Sequence, residues 1–540
     1  MIAVGLLLLV SWWTRFRWLR EDHADAPAIP ALPRAARRTA LVILAVSLLF
    51  QLGIWLARRG AVSAKLGDDD EVYVFLALQI LGFGDAPPVF ALRAPGWPLI
   101  LAGLLRLFGD DAIWVVGLYH RVLLATLPPL LYVILARFLR PSVAATAAIV
   151  SLAMPYNTEW SRFALTDISY TAASLFLLAS LVVATGGRRP LPWLVLGGVI
   201  AALKTLIRMT GLGVAVAMTV ALVAVAREPV GRRVGWAAVF LLPSVGAVVG
   251  LSAYHLGVAG HFRPSMGGGL NFFQSVAARL SRPPDAPAMR ELAALRPELS
   301  PEQLLHGDAM WVAQYRFTAT GRGDVFEFGT LLDRAIRELV SASPGEYGLT
   351  VAKGTLLALA YPKDDWLPRR WRPEPVEGSG APRETRGAIG LPNPTCGLQN
   401  GLGASVSGEL CLRYAARWRA LAFQPPWIHG LLTHTPRALH RLVVTLPRQV
   451  RKLTWPFYCG LVAFAAMIWL VVARPTRRLA LLLALPALAD FVPVILVTAG
   501  TVTSRHMLYL QPASFVATWI GLAWALERLL RARAGAPARS

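Results

Sequence analysis

Apolar runs of about 17–25 residues, the length a helix needs to cross the hydrocarbon core of a bilayer, recur along the chain. They lie at 39–57, 112–136, 142–160, 164–185, 192–207, 209–226, 234–256, 453–473, 479–499 and 509–528, and predict ten membrane-crossing helices. The stretch 192–226 is too long for one crossing, and Lys204, Arg208 and Gly211 interrupt its middle, so it reads as two short helices meeting at one face. Two apolar pieces, Glu71 to Leu81 and Pro98 to Phe108, the second with Trp97 at its head, are too short to span and are predicted to lie in the interface plane. They are joined by a segment ending in Arg93-Ala94-Pro95-Gly96-Trp97-Pro98, where two prolines around a glycine impose a rigid bend. A polar insertion, 257–450, mixes Pro- and Gly-rich loops with helical stretches such as Leu331 to Leu359, which predicts an α-rich, irregular domain.

The pattern divides the chain into an N-terminal segment and linker (1–38), a first membrane module (39–256), the insertion (257–450) and C-terminal membrane helices (451–540). Residues 1–13 are apolar but short, without a basic leader or a small-residue cleavage site. They read as an interfacial helix or an upstream extension, not a signal peptide.

Composition agrees with a polytopic, all-α membrane protein. With 55% hydrophobic and 16% charged residues and a mean hydropathy of +0.51, a soluble fold could not enclose the apolar surface. The net charge of +23 comes from basic residues that punctuate apolar runs and form no patch, which points to anionic lipid headgroups and away from nucleic acid. Arg34, Arg37 and Arg38, Arg137 and Arg140, Arg188 and Arg189, Arg227 to Arg233, Arg474 to Arg478 and Arg528 to Arg533 fall on one side by parity. That side is read as cytoplasm, with both termini there, in a bacterial plasma membrane; Arg58 and Arg59 are the exception. The first loop and the insertion then face outward.

This parity gathers ionisable groups at the outer face. The run Asp68-Asp69-Asp70-Glu71 follows the first span, Arg162 and Asp167 flank the turn between the third and fourth, Lys204 and Arg208 occupy the break between the fifth and sixth, and Arg505 and His506 precede the tenth. Ionisable residues at membrane depth are functional candidates by default. Simpler readings stand beside each: Asp68 with Glu71 as a helix cap, Asp167 as an N-cap supported by Thr166, and snorkelling for Lys204 and Arg208. Their common face is the argument. Cations that grip a phosphate, with a carboxylate that takes a proton from an attacking hydroxyl, suit transfer from a lipid-phosphate donor. A sugar passing through an oxocarbenium-like transition state fits that demand, by analogy with glycoside hydrolysis.

Several of these stretches resemble bacterial GT-C membrane glycosyltransferases, the group related to protein O-mannosyltransferases and to the lipid A aminoarabinose transferase. The resemblance rests on Asp69-Asp70-Glu71-Val72-Tyr73 with Ala77, on Arg93-Ala94-Pro95-Gly96-Trp97-Pro98-Leu99 through Gly109, and on Ser161-Arg162 to Thr166-Asp167. It continues through Gly197 to Arg208 and through Arg505 to Tyr509 and Pro512. It implies a GT-C bundle with interfacial helices in the first outer loop, a polyprenyl-phosphate sugar as donor, and inversion at the anomeric carbon. By position, Asp69 or Asp70 would be the base, with Asp167 assisting by orienting donor or acceptor. Arg93, Lys204, Arg208 and Arg505 would contact the donor phosphate, and Glu71, Tyr73, Arg162 and Tyr509 would support the site. The acceptor, whether glycan, lipid or protein, does not follow, because the insertion does not resemble the small β-rich modules of some relatives.

The rivals are a transporter or lipid flippase, whose charges would sit near mid-membrane, and a catalytically silent scaffold of the same fold. No Walker A loop, nucleophile elbow or C-x-x-C pair occurs. Some GT-C enzymes use a divalent metal; nothing in this chain demands one, and His429, His434 and His440 read as surface histidines. Cys396 and Cys411 are either a disulfide or two free thiols.

Overall fold

The computed structural model describes residues 34–57, 69–83, 87–109, 112–154, 166–186, 189–226, 228–280, 285–305, 309–360, 441–447, 460–472, 477–498 and 511–533. No strand occurs among them. The membrane module contains α1 (Arg34–Ala57), α2 (Asp69–Ile80), α3 (Gly96–Phe108), α4 (Ala112–Leu135), α5 (Pro141–Val150), α6 (Asp167–Gly186), α7 (Pro190–Ile207), α8 (Gly211–Val225) and α9 (Val230–Ala259). The insertion contributes α10 (Gly269–Ser275), α11 (Pro287–Ala293), α12 (Ala309–Ala319), α13 (Val325–Ala342) and α14 (Pro344–Ala360). The C-terminal helices are α15 (Gly460–Val472), α16 (Arg477–Thr498) and α17 (Gln511–Arg533).

The architecture is the all-α membrane bundle that the apolar pattern predicts. Each of the ten expected spans contains a described helix, and α1, α4, α6, α7 and α9 are long and apolar enough to cross a membrane by length and composition. Both short pieces of the first loop are helices, α2 and α3, as expected. Trp97, expected at the interface, is instead fully buried and stacks on His120 of α4 with ring centroids 5.3 Å apart. The opposite face of α3 exposes Leu99 and Leu107, so the helix turns one apolar side outward. The expected helical stretch Leu331 to Leu359 is helical and comprises two helices that break at Ser343. The break has a local cause: Pro344 lacks an N–H and disfavours a helical residue before it, but is well suited to open a new helix.

A continuous core joins α4, α6, α7, α8 and α9 to the C-terminal helices through Leu131, Leu177, Leu194, Val214, Phe240 and Phe515. Large apolar residues such as Leu49, Leu196, Leu203, Leu242 and Val249 are exposed on α1, α7 and α9, where hydrocarbon replaces water as the surrounding phase. Gly198 explains how closely α7 and α9 pack. A Cβ there would lie 2.9 Å from the carbonyl oxygen of Phe240, so only glycine permits this approach.

The insertion has its own core, built from Phe273, Met310, Phe326, Phe328 and Leu332, and Ala91 of the first loop enters it. α13 starts at a reciprocal cap: Asp324 accepts from the N–H groups of Phe326 and Glu327, while Glu327 accepts from the N–H of Asp324. Glu298 bridges Arg296 at 2.7 Å and Arg316 at 2.8 Å. Burial alone would raise its carboxyl, but the hydrogen bonds from Arg316, its own backbone and Arg296 outweigh that and hold it at about 2. His255 ties the insertion to the first loop. Its Nδ1 donates to the Arg263 carbonyl at 2.6 Å and its Nε2 accepts from the N–H of Phe90 at 3.2 Å, so one neutral tautomer satisfies both ring nitrogens.

Candidate functional site

The site is built where α7 stops and α8 begins. Arg208 leaves the helix in an extended conformation, and the chain turns through Met209 and Thr210 before Gly211 restarts it. Leaving the helix at this point turns the Arg208 side chain across to the start of α6. There its Nε donates to Thr166 Oγ1 at 2.9 Å and its Nη2 to Asp167 Oδ1 at 2.6 Å. Asp167 is buried, whereas the Arg208 side chain keeps 21% of its surface exposed, so the pair has one closed and one accessible side.

One turn deeper lies a second pair. Lys204, in the last turn of α7, places its Nζ 2.8 Å from Asp490 Oδ2 of α16. Both are enclosed, with side-chain exposures of 0% and 5%. A buried ammonium is tolerated only with such a partner. Tyr170, three residues after Asp167 on α6, stands between the two pairs. Its hydroxyl donates to Asp490 Oδ1 and lies 3.1 Å from Thr210 Oγ1, an arrangement in which Thr210 donates. Its ring carries the Lys204 Nζ at 4.1 Å and the Arg208 Cζ at 5.5 Å from the centroid.

The first loop reaches the same place. A Cβ on Gly96 would lie 2.7 Å from the Leu206 carbonyl carbon and 2.9 Å from the Ile207 nitrogen, so the bend rests directly on the backbone that ends in Arg208. Arg93, just before the bend, sets its Cζ 5.9 Å from the centroid of Tyr73, which is buried in α2. Asp69, Asp70 and Glu71 form the first turn of α2, a position that suits carboxylates; their side chains lie outside the described residues. So do Arg162, Arg505, His506 and Tyr509, His429, His434 and His440, and all three cysteines. Of the cations expected at a phosphate, Arg208 is accessible, whereas Lys204 is fully enclosed and bound to Asp490.

Sequence reasoning missed Asp490, Tyr170 and Thr210. For Asp490 a signal existed: it is the sole acid in the apolar run 479–499, and an intramembrane carboxylate asks for a partner. The same signal marks Arg121 of α4, which is buried and donates to Gln51 of α1 at 3.0 Å. Tyr170 carried no comparable mark in an apolar helix. Among the described residues no group of three His, Cys, Asp or Glu side chains could hold a metal ion.

Residues 92–250, which include the bend, Asp167, Lys204 and Arg208, match the model of the family described as dolichyl-phosphate-mannose-protein mannosyltransferase. No curated protein matches the chain. Among solved structures, the chain is similar to the archaeal oligosaccharyltransferase AglB from Archaeoglobus fulgidus, in complex with an inhibitory peptide and a dolichol-phosphate. That match has a TM-score of 0.39 at 11% identity and covers 93% of this chain and 52% of that one. It is also similar to ArnT from Cupriavidus metallidurans bound to undecaprenyl phosphate, with a TM-score of 0.31 at 14% identity, over 91% of this chain and 79% of that one. The chain spans about half the length of the oligosaccharyltransferase.

Proposed function

We propose that the protein is a membrane glycosyltransferase that moves a sugar from a polyprenyl-phosphate donor to an acceptor hydroxyl on the extracytoplasmic side, with inversion at the anomeric carbon. The observation that carries this reading is the partly accessible Arg208 guanidinium, anchored by Thr166 and Asp167 within the segment that matches the mannosyltransferase family model and braced by the Gly96 bend. A guanidinium that is anchored inside the bundle and keeps part of its surface accessible suits an anionic ligand that arrives from outside.

In this mechanism the acceptor oxygen attacks the anomeric carbon from the face opposite the phosphate. The new C–O bond forms as the bond to the phosphate oxygen breaks, and the acceptor proton passes to a carboxylate. Asp69 or Asp70, in the first turn of α2, is assigned that proton, and the departing phosphate is stabilised by Arg208, with Arg93 and Arg505 as further cations. Asp167, already bonded to Arg208, orients the guanidinium and is not the base. Glu71, Tyr73, Arg162 and Tyr509 are assigned supporting positions around donor and acceptor. The extracytoplasmic assignment rests on the arginine distribution of the loops.

The test is release of polyprenyl phosphate from a panel of polyprenyl-phosphate sugars by the purified protein in detergent. Wild-type turnover that collapses in Asp69→Asn or in Asp70→Asn, and falls by about 10²–10³ in Arg208→Ala, supports the reading. Folded wild-type protein that turns over none of the donors overturns it.

A further inference from the structure

The family match ends at residue 250, yet the cluster around Arg208 includes a carboxylate from residue 490. We propose that Asp490, Lys204 and Tyr170 form a positioning network that sets where the Arg208 guanidinium stands, so that the C-terminal helix α16 takes part in donor-phosphate recognition. This rests on the reading of Arg208 as the contact to the donor phosphate. It reassigns Lys204 from ligand contact to support.

The geometry is a ladder between α6 and α7. Asp167 and Tyr170 are three residues apart on α6 and share one side of it, while Lys204 lies in the last turn of α7 and Arg208 in the extended residue just past its end. Asp167 meets Arg208 and Tyr170 meets Lys204 across the gap. Asp490 closes the lower rung with both oxygens in use, Oδ2 on Lys204 and Oδ1 on Tyr170. Tyr170 also joins Thr210, in the turn that carries Arg208. The turn is therefore held from two sides: Gly96 braces the backbone before it, and Thr210 ties its far end through Tyr170 to α16.

The formal charges of the four groups cancel, two cations against two carboxylates. Lys204 has no exposed surface with which to meet a ligand, and Arg208 is the member that faces outward. Removing the lower pair leaves the Arg208 bonds to Thr166 and Asp167 in place but frees the turn beneath them. Tyr170 would then lose the acceptor that fixes its ring under the guanidinium. A cavity of about 30 Å3, room for about one water, adjoins Lys204 and Asp490 and is lined by Ser174, Met218, Leu483 and Pro486. It gives apolar replacements space to settle.

The experiment is a double-mutant cycle on binding of a polyprenyl phosphate to the full chain in detergent, with turnover measured in parallel. The apolar pair Lys204→Met/Asp490→Leu removes both buried charges together, a change that bundles tolerate better than the loss of one partner. It is combined with Arg208→Ala, and Tyr170→Phe serves as a milder second variant. The expected result is about tenfold weaker binding in the apolar pair with thermal stability kept, a smaller loss in Tyr170→Phe, and no further loss when the apolar pair is added to Arg208→Ala. An apolar pair that binds like wild type, or that weakens binding equally with and without Arg208, overturns the positioning role. If Arg208→Ala itself leaves binding unchanged, the functional reading fails instead, and the two failures are distinguishable.

Discussion

The ammonium of Lys204 lies 2.8 Å from the carboxylate of Asp490, 286 residues later in the chain, and both are sealed inside the bundle. This contact fastens the C-terminal helices to the middle of the first membrane module. Its energetic character is asymmetric: as a pair it is tolerated, but either charge alone would be stranded away from water.

Asp490→Ala is therefore expected to lower stability by about 3–5 kcal/mol, because it strands the Lys204 ammonium and removes the Tyr170 acceptor. Lys204→Met combined with Asp490→Leu is expected to recover most of that loss. Thermal unfolding of the purified variants in one detergent checks both. Equal damage from the single and the double change would contradict the asymmetry.

Gly96→Ala tests the brace from the first loop. The added methyl would meet the Leu206 and Ile207 backbone at 2.7–2.9 Å, and backbone cannot rotate away as a side chain can. The bend must retreat, which costs about 1–3 kcal/mol as overpacking and moves the residues that precede Arg208. Turnover or lipid-phosphate binding is expected to fall at least about tenfold, the equivalent of 1.4 kcal/mol, with the protein still folded by detergent gel filtration. A Gly96→Ala protein with wild-type binding would separate the bend from the site.

How much of this was legible in the sequence follows from the kind of signal each feature leaves. Membrane helices announce themselves by long apolar runs, so α6 and α7 were expected at 164–185 and 192–207 and lie at Asp167–Gly186 and Pro190–Ile207. The pairing of charges carries no such periodicity. Asp167, Lys204 and Arg208 could be placed at one end of the bundle, but which carboxylate meets which cation depends on helix rotation and on α16, which no local pattern encodes. Trp97 shows the same limit: an aromatic at the head of a short apolar helix suits an interface, and only its register against His120 turns it inward. The break at Pro344, by contrast, is readable locally, because a proline after a polar residue suits the opening of a helix.

Glu338 offers a test of the insertion that is independent of the membrane site. Its two carboxylate oxygens accept from the N–H groups of Ala288 and Met289 at 3.0 and 3.1 Å, capping α11 from α13. Glu338→Ala leaves those two donors without their acceptor and is expected to cost about 1–3 kcal/mol locally. Hydrogen exchange at 285–295 should quicken, while exchange in α6 and α7 stays unchanged.

Glu298 sets the acid limit of the same region. Its carboxyl is held at about 2 in the folded protein against an ordinary 4.5, so the folded state favours the ionised form. The unfolded chain takes up the proton first as pH falls, and stability contributed by this group is complete above about 4.5 and drains away between there and about 2. With 40% of its side chain exposed, solvent screening keeps that contribution modest. Protease susceptibility of the 285–320 region is expected to rise between pH 4.5 and 2.5 in the wild type. In Glu298→Gln it should be higher already at neutral pH and rise less steeply on acidification, because the group that loses its charge is gone. Parallel acid profiles for the two proteins would mean that Arg296 and Arg316 gain nothing from the Glu298 charge.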